Sequence, residues 1–184
     1  MIREDVKRAR ERAFHIIQKA GLAITPEERQ NMEVADFGLN DLEHYGIEVI
    51  IYENNDRYCA KELVLFPRQI CPEHRHPPVD KSYSGKQETF RCRWGEVFLY
   101  IEGEPAATPK AKIPKGDEKY FRVWHEIVLK PGGQFTLPPD HLHWFQAGDQ
   151  GAVLSEFSTP NTDEYDIWTN PAIRRIPTIE SGYS

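Results

Sequence analysis

His74-Arg75-His76, preceded by Cys71-Pro72-Glu73 and followed by Glu88 and, much later, by Pro138-Pro139-Asp140-His141-Leu142-His143, is the stretch on which the reading of this chain turns. In a strand, successive side chains point to opposite faces, so His74 and His76 look the same way, two rises of about 3.3 Å apart. Two imidazoles at that separation can lean onto one cation. Imidazoles joined by a carboxylate suit borderline divalent ions, whereas a structural zinc site calls for thiolates. A lone His-x-His reads equally as a pair of surface histidines in a polar loop; the second His-rich turn after Pro138-Pro139 favours the metal.

Outward from this stretch the hydrophobic pattern alternates. Residues 47–52, 58–66, 89–101, 121–129, 134–137, 144–147 and 152–157 are candidate strands, rich in β-branched and aromatic side chains. Turn signals separate them: Glu53-Asn54-Asn55-Asp56, Glu102-Gly103-Glu104-Pro105, Lys130-Pro131-Gly132-Gly133 and Gly148-Asp149-Gln150-Gly151. Short strands with tight turns and no intervening helices predict an antiparallel sandwich or barrel. The Pro-, Lys- and Gly-containing segment 103–119 reads as a surface excursion and a candidate for mobility.

The helical period is confined to the start. Val6, Ala9, Ala13, Ile16, Ile17 and Ala20 share one face of a helix over 4–20, ended by Gly21. Thr25-Pro26-Glu27-Glu28 has capping-box order and predicts a second short helix, to about Val34. The organisation expected is a single domain over 1–184, with N-terminal helices in 1–35, a β-barrel over 36–160 and a weakly patterned tail over 161–184. That tail is expected on the outside of the barrel or across a partner subunit.

With 184 residues, 39% hydrophobic and 28% charged, the chain suits one soluble domain with a core. A net charge of −6 argues against a nucleic-acid partner, whose phosphates demand a basic face. No apolar run approaches the ~20 residues that span a bilayer, and Met1-Ile2-Arg3-Glu4-Asp5 lacks a signal peptide's apolar segment. No membrane association and a cytoplasmic location are therefore expected. Cys59, Cys71 and Cys92 have no CxxC spacing, which excludes a disulfide framework or zinc knuckle, and a soft Cys71 thiolate would sit poorly among hard donors.

These residues carry a resemblance. Cys71 to His76 followed by Glu88 to Gly95 resembles the first cupin motif, in which His-x-His precedes a Glu and a Gly seven positions later. Pro138 to His143 resembles the second, with Asp140 in place of glycine. The gap from His76 to Glu88 is longer than usual and sets a loop, 77–87, beside the site. More narrowly, Cys71 to His76, Glu88 to Gly95, Trp124 to Gly132, Leu137 to Gly148 and Ser155 to Thr159 resemble the D-lyxose isomerase family of cupins. The resemblance implies an all-β fold, a cupin-type antiparallel β-barrel (jelly roll) with an N-terminal helical segment. It also implies a manganese-dependent aldose–ketose isomerase that interconverts D-lyxose and D-xylulose, and commonly D-mannose and D-fructose, with His74, His76, Glu88 and His143 as ligands. Co²⁺ and other divalent ions are alternatives to Mn²⁺, and a homodimer is the expected assembly.

Isomerising an aldose moves hydrogen between C2 and C1 and a proton between O2 and O1. A divalent ion polarises the carbonyl and stabilises a cis-enediolate, and a positioned base carries the proton. Glu156, in the otherwise apolar run Ala152 to Phe157, is the first candidate base, with a rim salt-bridge partner as the alternative. Lys61 is the second catalytic candidate, either a cation facing the barrel interior or a surface lysine. Asp140, Arg93 and His141 are candidate substrate contacts, although strict alternation from Glu88 sends Arg93 to the opposite face unless a bulge intervenes. His141 shares the parity of His143; motif spacing assigns the ligand to His143. His125, after a tryptophan in a strand pattern, reads as a core or wall residue, and His15 and His44 belong to no cluster. Two other classes fit the same ligand set: an iron-dependent oxygenase and a non-enzymatic sugar-binding cupin.

Overall fold

The computed structural model describes residues 3–175; Met1, Ile2 and the end of the expected tail, 176–184, lie outside the described residues. Two helices, α1 (Arg3–Lys19) and α2 (Pro26–Asn31), precede nine strands. These are β1 (Glu33–Ala35), β2 (Ile47–Asn54), β3 (Cys59–Leu65), β4 (Ile70–Arg75), β5 (Glu88–Ile101), β6 (His125–Leu129), β7 (Gln134–Leu137), β8 (His143–Ser158) and β9 (Ile167–Trp168). They form one curled antiparallel sheet in the order β1-β2-β3-β8-β4-β9, with β5 bridging β8 to β6 and β7. The all-β expectation, with helices at the N-terminus, is what the chain adopts.

The capping box is present: Thr25 Oγ1 accepts from Glu28 N at 3.1 Å, and Glu28 Oε2 accepts from Thr25 N at 2.6 Å. The helix nevertheless ends at Asn31 rather than near Val34, because Glu33–Ala35 pairs with β2. Val6, Ala9, Ala13, Ile16 and Ile17 of α1 bury themselves on Ile50, Val64, Phe66 and Val153, the outer face of the sheet. Inside the curl lies the main core, from Val49, Leu63 and Phe90 to Leu99, Phe145 and Leu154.

Two expectations are corrected here. Gly148-Asp149-Gln150-Gly151 is not a hairpin turn; β8 runs through it for 16 residues, side by side with β5. Phe145 and Ala147 face the core before this bend and Ala152 and Leu154 after it, so the bend reverses the parity of the strand. β5 shifts register at the same level, between Cys92 and Trp94 and between Gly95 and Val97. The two strands touch there so closely that a Cβ on Gly95, whose φ is +72°, would lie 2.1 Å from Gly151 O. Glycine at this corner is a steric requirement.

The excursion 103–119 does run over the surface, each of its residues exposed or half-buried, and it is tied down there: Ala111 N donates to Tyr100 Oη and Lys112 N to Gln146 Oε1, while Ala111 and Ile113 pack with Phe121 and Val123 on Tyr100 and Trp144. The second correction is to the strand that follows. The strand expected over 121–129 begins only at His125, since Arg122 and Val123 give their N–H groups to the Glu73 carboxylate instead of a ladder.

Candidate metal centre and adjoining acid–base pair

β4 delivers His74 on its last turn of pleat and His76 one residue past its end; β5 delivers Glu88 at its first residue and β8 His143 at its first. Pairing of His74 with His143 across β4 and β8 brings two of the imidazoles together. Ring centroids lie 4.8 Å apart for His74 and His76, 4.3 Å for His74 and His143 and 5.4 Å for His76 and His143, and one nitrogen from each ring falls within 4.8 Å of the others. Glu88 Oε1 stands 3.0 Å from His76 Nε2 and 3.1 Å from His143 Nε2. All four side chains are at least 95% buried.

Each ring is held from behind. His74 Nδ1 donates to Pro72 O at 2.8 Å, His143 Nδ1 donates to His141 O at 3.0 Å, and His76 Nδ1 donates to the Asp166 carboxylate. An Nδ1–H fixed this way leaves Nε2 as the lone-pair nitrogen. Burial opposes charge on His76, but Glu88 at Nε2 and Asp166 at Nδ1 outweigh it and push its pKa up to about 9, whereas His143 turns an Nε2 lone pair toward the Glu88 carboxylate and is buried there without an aligned hydrogen bond. Acceptors converging in a dry pocket are costly unless a cation joins them. Three imidazole nitrogens and a carboxylate are a donor set suited to a divalent transition ion, so these residues fit a metal, with the outer partners that ligand histidines require. Burial, reinforced by the neighbouring His143 and His76, holds the His74 imidazole well below its usual basicity. Cys71 lines the same cavity, but burial pushes its thiol well above the usual range, which disfavours a thiolate ligand.

Beside the histidines, three acidic and two basic side chains interlock. Glu156 Oε1 lies 2.8 Å from Lys86 Nζ and 3.7 Å from Lys61 Nζ. Lys86 Nζ is also 3.1 Å from Glu88 Oε2 and 3.6 Å from Asp163 Oδ1, while Lys61 Nζ is 3.5 Å from Asp163 Oδ2 and donates to Asn161 Oδ1 at 3.0 Å. Burial alone would lower the Lys86 ammonium; Glu156, Glu88 and Asp163 outweigh it and raise Lys86 well above its ordinary value. Burial likewise opposes the Asp163 charge, but Lys86, Lys61 and Arg175 hold that carboxyl far below the usual range.

The structure brings His74, His76, Glu88, His143, Glu156 and Lys61 together. It does not bring Arg93, Asp140 or His141 to the cavity that His74, His76, Glu88, Glu156 and Lys61 line. Arg93 is exposed on the outer face, its Nη1 3.3 Å from Ser155 Oγ; alternation from Glu88 holds through Phe90 and Cys92, and the register shift at Arg93 itself does not turn it inward. Asp140 occupies the left-handed region at φ +60°, where the motif has glycine, and its carboxylate faces Arg75 at 3.0 and 3.2 Å. His141 precedes the strand, so parity with His143 does not apply; its contribution is the carbonyl behind His143.

Four cavity residues escaped the sequence. Lys86 sits on the loop 77–87, which is clipped to the end of β8 by Tyr83 Oη on Pro160 O and by Gln87 and Thr159. Gly85 lets the loop approach so closely that a Cβ would stand 2.4 Å from His76 O. The tail supplies the others, contrary to the expectation that it lies outside. Asp163 and Asp166 hold Lys86 and His76, and Trp168 pairs with His74 in β9 and stacks on its ring with centroids 4.5 Å apart. The cavity is small, about 40 Å³.

A family model described as D-lyxose isomerase matches residues 18–183. A D-lyxose ketol-isomerase of a Thermofilum species is 61% identical over 179 residues, 97% of this chain and 99% of that one. A D-lyxose/D-mannose isomerase of Thermosediminibacter oceani is 60% identical over 95% of this chain and 96% of that one. Among solved structures, L-ribose isomerases of Cellulomonas parahominis and Acinetobacter sp. DL28 superpose with TM-scores of 0.76 over 98% of both chains, at 16% identity, which is a likeness of fold.

Proposed function

The chain belongs to the D-lyxose isomerase family, and from that premise we propose that it is a metal-dependent aldose–ketose isomerase interconverting D-lyxose with D-xylulose and D-mannose with D-fructose. The observation that carries this reading is the convergence of His74, His76 and His143 on Glu88, with the Glu156–Lys86 pair alongside. His74, His76, Glu88 and His143 would hold the ion, Mn²⁺ as first choice and Co²⁺ as second. Bound there, it would supply Lewis-acid stabilisation of negative charge on the sugar's O1 and O2.

The remaining chemistry is the chain's own. Glu156 takes the C2 proton of the aldose and, through a cis-enediol, delivers that proton or one exchanged with solvent to C1, while the O2 proton passes to O1. Lys86 and Lys61, the two ammonium groups nearest Glu156, donate hydrogen bonds to the oxygens on which charge develops. Trp168, Phe90 and Phe145 wall the cavity and keep water from the intermediate.

The activity on mannose is supported by the name of the Thermosediminibacter relative. A cytoplasmic homodimer is our reading of an acidic chain in which no helix among the described residues is long and apolar enough to cross a membrane. The test of the function is an aldose panel assayed for ketose, after chelation and again with Mn²⁺ restored. Ketose from lyxose and mannose, dependent on added ion and independent of oxygen, is expected. Binding without turnover, or oxygen uptake with iron, would replace it with one of the rival readings. Deuterium from solvent at the product's C1 or C2 would mark proton transfer; a hydride shift carries no label and tolerates Glu156→Gln.

A further inference from the structure

We propose that Glu73 is a positioning residue that holds the outer partners of the ligand histidines in place through Thr169, an inference that rests on reading His74, His76, Glu88 and His143 as a metal site. Glu73 precedes His74 on β4 and projects from the other face of the strand. It is 1% exposed, and the groups that satisfy it come from two distant segments. Oε2 accepts from the backbone N–H of Arg122 at 2.5 Å and of Val123 at 3.0 Å. Oε1 accepts from the Thr169 hydroxyl at 2.6 Å, and the Glu73 carbonyl accepts from Thr169 N at 3.0 Å.

Thr169 directly follows Trp168, which stacks on His74, and lies three residues after Asp166, which holds His76 Nδ1. β9 is two residues long and pairs with β4 only at His74 and Arg75, too little ladder to hold a segment by itself. The hydrogen bond from the Thr169 hydroxyl is the side-chain anchor next to Trp168, added to those that Asp163, Asp166 and Ile173 give the neighbouring stretches of the segment. One carboxylate, facing away from the cavity, sets the orientation of two rings inside it. Through Arg122 and Val123 it also ties the packed strap over Trp144 to the same point.

The experiment compares Thr169→Val, which removes the hydroxyl and keeps the shape, with Thr169→Ser, which restores it. Glu73→Gln is a third variant; its amide can offer oxygen to the two backbone N–H groups and N–H to the Thr169 hydroxyl. Two quantities are read well below each variant's melting temperature. One is Mn²⁺ affinity, by competition with a chromophoric chelator; the other is acrylamide quenching of Trp168, isolated by difference against Trp168→Phe. We expect Thr169→Val to bind Mn²⁺ ~10–100-fold more weakly with Trp168 more open to quencher, and Thr169→Ser and Glu73→Gln to stay near wild type. Wild-type affinity and quenching in Thr169→Val, whatever its melting temperature, would overturn the proposal. If the wild-type chain itself binds no Mn²⁺, the metal reading falls, and the quenching of Trp168 alone decides for or against the tie.

Discussion

The Lys86 ammonium lies 2.8 Å from the Glu156 carboxylate, in a cavity where both side chains are at least 95% buried. The same ammonium reaches Glu88 at 3.1 Å, so one cation spans the proposed proton carrier and a proposed metal ligand. Replacing Lys86 with Met should lower kcat by about 10²–10⁴, the range of a positioned acid–base group. Glu156→Gln should fall as far and should also lose solvent-deuterium exchange into the product. A Glu156→Gln enzyme that keeps both rate and label would move the proton to another group.

Metal removal should be visible in stability as well as activity. Because the four ligands come from β4, β5, β8 and the residue after β4, an ion tightens strands distant in sequence. At a free Mn²⁺ concentration 100 times its Kd, linkage gives about 2.7 kcal/mol of added stability. Calorimetry of chelated and reloaded protein checks this, and a melting temperature insensitive to Mn²⁺ would contradict it.

Asp163 carries the pH prediction. Its carboxyl is held far below the ordinary range, against the opposing effect of burial, by Lys86, Lys61 and Arg175. A depressed carboxyl stabilises the fold fully above its unfolded value, near pH 4, and loses that contribution as pH falls toward its folded value. Urea denaturation of wild type and Asp163→Asn should therefore differ most at neutral pH, with the gap narrowing below about pH 4. A gap that widens on acidification would mean the three cations are not what holds this charge.

Gly95→Ala tests the corner between β5 and β8. The left-handed backbone costs an alanine roughly 1–2 kcal/mol, and its Cβ would be driven into Gly151 O. A loss of more than about 2 kcal/mol in urea denaturation is expected; a neutral substitution would show that the corner can open.

Much of this was legible in the chain. His-x-His, the spacing from Glu88 to Gly95 and the turn before His143 are local patterns, and each falls where a strand begins or ends. Glu156 stood out as a charge in an apolar strand. Lys86 carried no such mark, being one lysine of a polar loop whose position depends on Gly85 meeting the backbone of His76. Asp163, Asp166 and Trp168 meet their partners across most of the chain's length, and a two-residue strand has no period to detect. Arg93 and His141 show the limit of parity: alternation predicted the first when followed strictly and misled for the second, where no strand exists.

The bend in β8 acts as a reading frame for function. His143 and Glu156 are thirteen positions apart on one strand, an odd spacing that unbroken alternation would send to opposite faces. The parity reversal between Ala147 and Ala152 puts the proposed ligand and the proposed proton carrier on the same side of the sheet. Inserting or deleting one residue there would keep the strand's composition and most of its ladder, yet turn one of the two outward. The separation between the proposed metal ligand and the proposed base is thus indexed by the length of a four-residue corner.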